Sequence, residues 1–186
     1  GVKAPQGIAA DASNGGVYIL DGAELVFVEP GAQQSLDGAA AVREGRAARI
    51  DLRPAGLGNV RGIAFNPADE HLYVLNPGRR LLYELTSAGQ LVATRDLRAV
   101  AIRNAQGMAF APSGDNSDSP DQMSLYIADA GAAGSIVELS LTQPELRTTA
   151  AVAATEPAVL IHTINANQWS PNSPDPMGLG YISSIG

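Results

Sequence analysis

The chain has 186 residues, of which 45% are apolar, it lacks cysteine, and its formal net charge is −7. This length predicts one domain with a hydrophobic core, and no apolar run approaches the roughly 18 residues of a membrane-spanning helix. The acidic balance, with twelve basic residues spread along the chain, argues against a nucleic-acid partner. The lack of cysteine excludes disulfides and thiol chemistry.

The chain contains a sequence repeat. It consists of a glycine, a short apolar run, a polar turn and a second apolar run that ends in Asp or Asn. Complete copies begin at Pro5, Arg61 and Ala105, and a fourth copy, from Asp175, stops before its second run. Repetition of this kind decides the architecture before any single motif is weighed.

The first copy predicts a propeller blade over residues 1–58. Its third strand is predicted at Glu24–Glu29 and its fourth at Ala48–Leu52, with a long connection, Pro30–Arg46, between them. Helical periodicity is weak, and Gly38–Ala48 is expected to form at most a turn or two of helix.

The second copy predicts the clearest blade, over residues 59–103. Apolar, β-branched and aromatic runs separated by Asn, Pro and Gly turns predict four strands, at Gly62–Phe65, His71–Leu75, Leu81–Leu85 and Leu91–Leu97. Four antiparallel strands in about 45 residues are typical of one propeller blade.

The third copy predicts a blade over residues 104–175, with strands at Ser135–Leu139 and Ile161–Asn165 and a Pro/Asn/Ser stretch at its end. Residues 176–186 are expected to open a fourth blade. The predicted fold is therefore an all-β propeller of four-stranded antiparallel blades, with three blades and the first strand of a fourth. Since propellers usually have about four to eight blades, we expect closure by further blades after Gly186 or by self-association of several copies.

The copies that begin at Pro5 and Ala105 resemble the NHL-type repeat, with its Gly-apolar-Ala opening and its second strand that ends in Asp. The segments Ala111–Leu141 and Asn167–Ile182 are similar to a group of exported bacterial multi-blade propeller proteins. This resemblance implies an extracellular or cell-surface location. It also implies a choice of roles, because most NHL-type propellers bind proteins, nucleic acids or glycans, while a few relatives are lyases or lactonase-like hydrolases.

The residue that ends the second strand recurs as Asp21, Asn76 and Asp129. These side chains could form a ring of acceptors near the central channel, or each could cap the turn that follows its strand. Because the position recurs in every complete blade, we favour the capping interpretation. Tyr18, Tyr73 and Tyr126 recur in the same way and are predicted to lie in the core between blades.

An acidic loop offers a candidate metal site. Asp115, Asp118 and Asp121 place a carboxylate at every third residue, and Ca²⁺ prefers six to eight hard oxygen ligands. The EF-hand spacing is absent, so the alternative is a solvated acidic loop.

Three further residues are candidates for ligand binding. Arg61 and Arg103 precede inner strands, where they could meet an anionic ligand, or they could be solvated or paired with carboxylates such as Asp96. Trp169 lies in the Pro/Ser stretch, where it could pin that stretch to a blade or act as a recognition aromatic.

No catalytic residue is predicted. His71 and His162 are the two histidines, and neither is expected to face the central channel. No nucleophile or zinc motif is present. The sequence therefore favours a non-enzymatic binding or scaffolding module that contacts a protein or glycan through loops at a blade end. The alternative is a lyase or lactonase-like propeller enzyme with metal ligands on the central axis.

Overall fold

The computed structural model describes residues 1–115, 118–119, 121–131, 134–141, 155–157 and 159–165. Almost all of its regular structure is β-strand, in three sheets. The strands are β1 Pro5–Ala10, β2 Val17–Asp21, β3 Glu24–Val28, β4 Ala47–Asp51, β5 Arg61–Asn66, β6 His71–Asn76, β7 Leu81–Leu85, β8 Leu91–Asp96, β9 Ala105–Pro112, β10 Met123–Asp129, β11 Ser135–Ser140, β12 Thr155–Pro157 and β13 Val159–Asn165. In the described part of the chain, no helix is long and apolar enough to cross a membrane.

Each sheet is one blade. Blade 1 has the order β1-β2-β3-β4, blade 2 continues with β5 to β8, and blade 3 has β9-β10-β11-β13, with antiparallel pairing between these neighbours. The predicted all-β propeller class with four-stranded blades is confirmed. Residues 176–186, which we expected to open a fourth blade, lie outside the described residues.

Blade 2 has a fifth strand that the repeat did not predict. The short strand β12 runs parallel to β8, with Thr155 opposite Thr94 and Pro157 opposite Asp96, and the chain then forms β13 in blade 3. A blade's outer strand otherwise presents unpaired N–H and C=O groups, which β12 satisfies in part. Three residues are too few for a sequence period to reveal such a strand.

The long connection in blade 1 contains the expected short helix, α1, over Gly38–Arg43. Asp37 begins it, because its Oδ1 accepts hydrogen bonds from the N–H groups of Ala39 and Ala40 at 2.9 and 3.0 Å. Ala41 is fully buried against Val26 and Val28. The helix therefore covers the outer half of one face of blade 1.

The hydrophobic core lies between the blades. One cluster joins blades 1 and 2 around Leu20, Leu25 and Ile63, and a second joins blades 2 and 3 around Leu75, Met108 and Ile127. Such burial of apolar surface is the main force that stacks the sheets.

The residue after the repeated glycine faces the preceding blade. Ile63 is 2% exposed and Met108 is 6% exposed, whereas their counterpart in blade 1, Ile8, is 65% exposed. In the described part of the chain no blade packs against Ile8.

The repeated glycine permits neighbouring inner strands to approach closely. A Cβ atom at Gly7 would lie 3.0 Å from the backbone nitrogen of Ile63. Gly62 has φ +71°, a left-handed conformation that favours glycine. The first strand of each blade also carries a register shift at this place. Packing therefore favours glycine at Gly7, and backbone conformation favours it at Gly62.

Candidate functional site

A pocket of about 420 Å³ opens between blades 1 and 2. We call it the inter-blade pocket. Residues of three turns line it: those after β1, β5 and β7. In an antiparallel blade, the turn between the first two strands and the turn between the last two lie at the same end. Two adjacent blades therefore bring these turns together.

Three aromatic side chains form one wall of the inter-blade pocket. The ring centroids of Tyr18 and Phe27 are 4.5 Å apart with planes 30° apart, and those of Tyr18 and Phe65 are 6.3 Å apart with planes 11° apart. Tyr18 lies between the other two rings. Phe27 is half-buried, while Tyr18 and Phe65 are buried.

Asp11 supplies a buried carboxylate to the same pocket. The residue is 5% exposed and accepts hydrogen bonds from the N–H and Oγ of Ser13 at 2.9 and 2.5 Å and from Asn14 Nδ2 at 2.8 Å. Burial, and after it the negative charge of Asp11, raises the pKa of the Tyr18 phenol, while a hydrogen bond with Ser87 opposes this shift. The phenol of Tyr18 therefore stays neutral at physiological pH.

The inter-blade pocket carries negative charge without a counter-ion. Its lining contains Asp11 and Glu70 but no Lys, Arg or His. Among the described residues, neither carboxylate takes part in a salt bridge. Electrostatically, the pocket favours a cationic group over an anionic one.

A second polar cluster lies inside blade 2. Arg95 Nη2 donates to Glu84 Oε2 at 2.9 Å, and His71 Nδ1 lies 2.8 Å from Glu84 Oε1. Glu84 is on β7, with His71 and Arg95 on the strands at either side. The carboxylate therefore ties three strands of one blade together.

Asp69 extends this cluster into the turn before β6. Its Oδ2 accepts hydrogen bonds from the Tyr73 hydroxyl at 2.9 Å and from Asn66 Nδ2 at 2.8 Å. Burial, followed by the charges of Glu84 and Asp69, raises the pKa of Tyr73. The phenol of Tyr73 therefore acts as a hydrogen-bond donor.

Asp69, His71 and Glu84 form a group that could hold a metal ion, since one ligand atom from each lies within 4.8 Å of the others. The Arg95 guanidinium already neutralises Glu84, however, and a metal ion would add a second cation beside it. The contacts therefore favour a structural role. Sequence reasoning missed this cluster, although Glu84 and Glu138, each placed before a Leu in the third strand of a blade, were a usable signal.

Glu138 is the blade 3 counterpart of Glu84, but its partners differ. It is 2% exposed and accepts a hydrogen bond from the Gly114 N–H at 2.8 Å. Burial, and after it the hydrogen bond with Glu138, raises the pKa of Tyr126 to about 12. Tyr126 is half-buried and its hydroxyl donates to the Pro112 carbonyl at 2.9 Å. The prediction that all three repeated tyrosines lie in the core is therefore wrong for Tyr126 and confirmed for Tyr18 and Tyr73, because in blade 3 this residue faces a polar loop.

The carboxylates that end the second strands have a structural role, as predicted, but their partner is different. Asp21 accepts from the N–H groups of Lys3 at 3.0 Å and Ala4 at 2.6 Å, and Asp129 Oδ1 accepts from those of residues 103 and 104. Both aspartates thus hold the segment that enters the first strand of their own blade. The prediction of a cap on the following turn is wrong for Asp21, because the incoming backbone passes closer to it. In the turn after Asp129, residues 132 and 133 lie outside the described residues.

Asn76 makes both kinds of contact. Its Nδ2 donates to the Gly58 carbonyl at 2.7 Å, before β5, and its Oδ1 accepts from the Arg79 N–H at 3.0 Å, in the following turn. An amide can do this because it offers a donor as well as an acceptor.

Two of the predicted ligand-binding residues, Arg61 and Arg103, do not line the inter-blade pocket. Arg61 and Arg103 are exposed at or before the starts of β5 and β9. Asp96, suggested as their partner, forms its ion pair with Arg98 instead. Trp169 lies outside the described residues, as does the side chain of His162.

The acidic loop is described in part. Asp115 and Asp121 are exposed, Asp118 is half-buried, and Asp118 Oδ2 accepts a hydrogen bond from Ser113 Oγ at 2.7 Å. Calcium binding by these residues stays a prediction.

No family model and no curated protein matches the chain. Among solved structures, it is similar to one in a nidogen/laminin complex, at 16% identity over 95% of this chain and 52% of that chain, with a TM-score of 0.55. It is also similar to hydrazine synthase of Kuenenia stuttgartiensis (14% identity, 75% of this chain, 33% of that chain, TM-score 0.48). A third is virginiamycin B lyase from Staphylococcus aureus (14% identity, 75% of this chain, 38% of that chain, TM-score 0.46).

These neighbours are β-propeller proteins, and at such identities the likeness concerns the fold alone. The chain spans between a third and about half of their length.

Proposed function

We propose that this chain is a non-enzymatic binding or scaffolding module of an exported bacterial protein, which acts outside the cell or at its surface. It contacts a protein or glycan through the loops at one end of its blades. The observation that carries this proposal is the inter-blade pocket, where turns of two adjacent blades surround a cavity with aromatic and polar walls.

The chemistry of the lining supports binding. A site that binds small groups combines apolar contact area with a few placed polar groups. Here the aromatic wall rests on the core between blades 1 and 2, to which Tyr18 and Phe65 belong. The walls are therefore held by packing before any ligand arrives, which lowers the entropy cost of binding.

A propeller neighbour gives an example of protein binding by this fold. The neighbour with a TM-score of 0.55 was solved in a complex of nidogen with laminin. We propose in addition that the repeats are of the NHL type and that Asp115, Asp118 and Asp121 bind calcium. These two proposals rest on the residue patterns of the sequence.

The experiment is to block the pocket and measure binding. Ala88 is exposed and lines the pocket, so Ala88→Arg should fill its mouth, whereas Ala99→Arg adds the same group at an exposed position outside the lining. Binding to a glycan array and to a panel of purified bacterial surface proteins is measured for both variants and the parent chain. The proposal predicts that Ala88→Arg loses a ligand that Ala99→Arg keeps. Equal binding by both variants, or no binding by the parent chain, contradicts it.

A further inference from the structure

We infer that the inter-blade pocket receives a basic side chain, lysine or arginine, of a partner protein. This inference rests on the proposed function and names the chemical class of its ligand. It follows from the charge of the pocket, the mutual stacking of its aromatic rings and the hydrogen bonds that Asp11 accepts.

The first argument is charge. Two carboxylates, of Asp11 and Glu70, line the pocket, and no basic side chain does. Asp11 is only 5% exposed, and a buried carboxylate without a counter-ion attracts a cation more strongly than an exposed one, because less water screens it. A neutral ligand would leave both charges uncompensated.

The second argument is that the carboxylate oxygens of Asp11 already accept hydrogen bonds within the protein. They accept three hydrogen bonds from Ser13 and Asn14, so little acceptor capacity remains for sugar hydroxyls. Its negative charge, in contrast, still acts on any cation that enters, since all three donors are neutral groups. Asp11 is therefore better suited to attract a cation than to form specific hydrogen bonds with the hydroxyl groups of a sugar.

The third argument is the aromatic wall. A sugar ring would stack on an open aromatic face, but Tyr18 is buried and already stacks with both Phe27 and Phe65. The methylene stem of lysine or arginine needs only apolar contact, which such a stack provides while the charged head reaches the carboxylates. A lysine or arginine side chain offers both parts at once, whereas a neutral glycan offers neither the charge nor the stem.

The test is a titration followed by amide chemical shifts of the ¹⁵N-labelled chain. The probes are the peptide acetyl-Gly-Lys-Gly-amide, the same peptide with norleucine, and the neutral sugar cellobiose. For the lysine peptide we expect saturable shifts at the amides of Ser13, Ser87 and Ala88, with a dissociation constant on the order of millimolar. The norleucine peptide, with a similar stem and no charge, should bind at least about five-fold more weakly.

Two variants test the carboxylates. Glu70→Gln removes an exposed carboxylate of the lining and should weaken binding of the lysine peptide by about three-fold to ten-fold. Glu29→Gln removes an exposed carboxylate outside the lining and should leave the dissociation constant unchanged. Added salt should weaken binding to the parent chain more than to Glu70→Gln.

The outcomes separate this inference from the proposed function. Equal binding of the lysine and norleucine peptides, or binding of cellobiose alone, overturns the ligand class while the pocket remains a binding site. Equal effects of the two variants overturn the role of Glu70 and with it the charge argument. If no probe shifts any amide signal, both the inference and the assignment of the binding function to the inter-blade pocket are wrong.

Discussion

Arg95 and Glu84 form an ion pair inside blade 2, with Arg95 Nη2 2.9 Å from Glu84 Oε2 and side chains that are 2% and 4% exposed. The pair joins β7 to β8. His71, on β6, contacts the other oxygen of the same carboxylate through its Nδ1. Loss of one member of such a pair leaves a buried charge without compensation, which costs far more than the pair contributes net.

The first prediction concerns this pair. Arg95→Met should lower the free energy of unfolding by about 3–5 kcal/mol, because Glu84 would stay buried without its cation. Arg98→Met is the matched control, since Arg98 pairs with Asp96 at the exposed end of β8, and it should change stability little. Urea unfolding monitored by circular dichroism measures both variants. A loss no larger for Arg95→Met than for the control would contradict the structural role of the cluster.

The second prediction concerns the repeated glycine. In Gly7→Ala the new Cβ would lie 3.0 Å from the Ile63 nitrogen and 3.2 Å from Gly62 Cα, and backbone atoms cannot rotate away. We expect a loss of about 1–3 kcal/mol in unfolding free energy. Gly58→Ala serves as the control because no atom lies within 4 Å of the new methyl, and its effect should stay within about 0.5 kcal/mol. Similar values for the two variants would show that the inner strands do not approach as closely as described.

The third prediction is a pH dependence at Asp21. The Ala4 N–H, and after it the Lys3 N–H and Arg49, hold the pKa of Asp21 below its ordinary value of 3.8, against the effect of burial. Because the folded pKa lies below the unfolded one, the stabilisation is present above about pH 4 and disappears as the pH falls through the folded pKa.

Asp21→Asn should therefore be less stable than the parent chain near neutral pH, and the difference should shrink as the pH falls below about 4. Denaturant unfolding at a series of pH values measures this difference, with Glu29→Gln as a control for removal of an exposed carboxylate. A difference in unfolding free energy that stays constant with pH would contradict the prediction.

The fourth prediction tests calcium binding at the acidic loop. If Asp115, Asp118 and Asp121 bind the ion, calcium should raise the melting temperature, since a ligand of the folded state stabilises it by mass action. Asp118→Asn should abolish this rise, while Asp51→Asn, on the exposed outer strand of blade 1, should preserve it. An unchanged melting temperature and no heat in a calorimetric titration would show that the loop binds no calcium.

Strand positions were largely predictable because each blade repeats the same local alternation of apolar runs and turns. The predicted third strand of blade 2, Leu81–Leu85, agrees with β7 at both ends. The short helix in the blade 1 connection was anticipated as well. By contrast, β12 was missed because its pairing with β8 joins segments of two different blades.

The candidate site was not predictable in the same way. Arg61 and Arg103 were chosen for their position beside inner strands, yet the inter-blade pocket is formed by turns of β1, β5 and β7. Its polar members lie in turns, while its aromatic members lie on strands and belong to the pattern of the blades. Ser13, Asn14 and Ser87 favour turns for local reasons, so they carry no separate signal of binding.

By itself the sequence determined the blades, because strand length, turn chemistry and the repeated glycine are local properties written into each copy. Only the tertiary structure decided what surrounds each buried charge. Glu84 and Glu138 hold the same place in their repeats, but one meets Arg95 and the other meets the Gly114 backbone. That difference, like the meeting of Asp11 and Glu70 at one pocket, depends on residues distant in the chain that packing brings together.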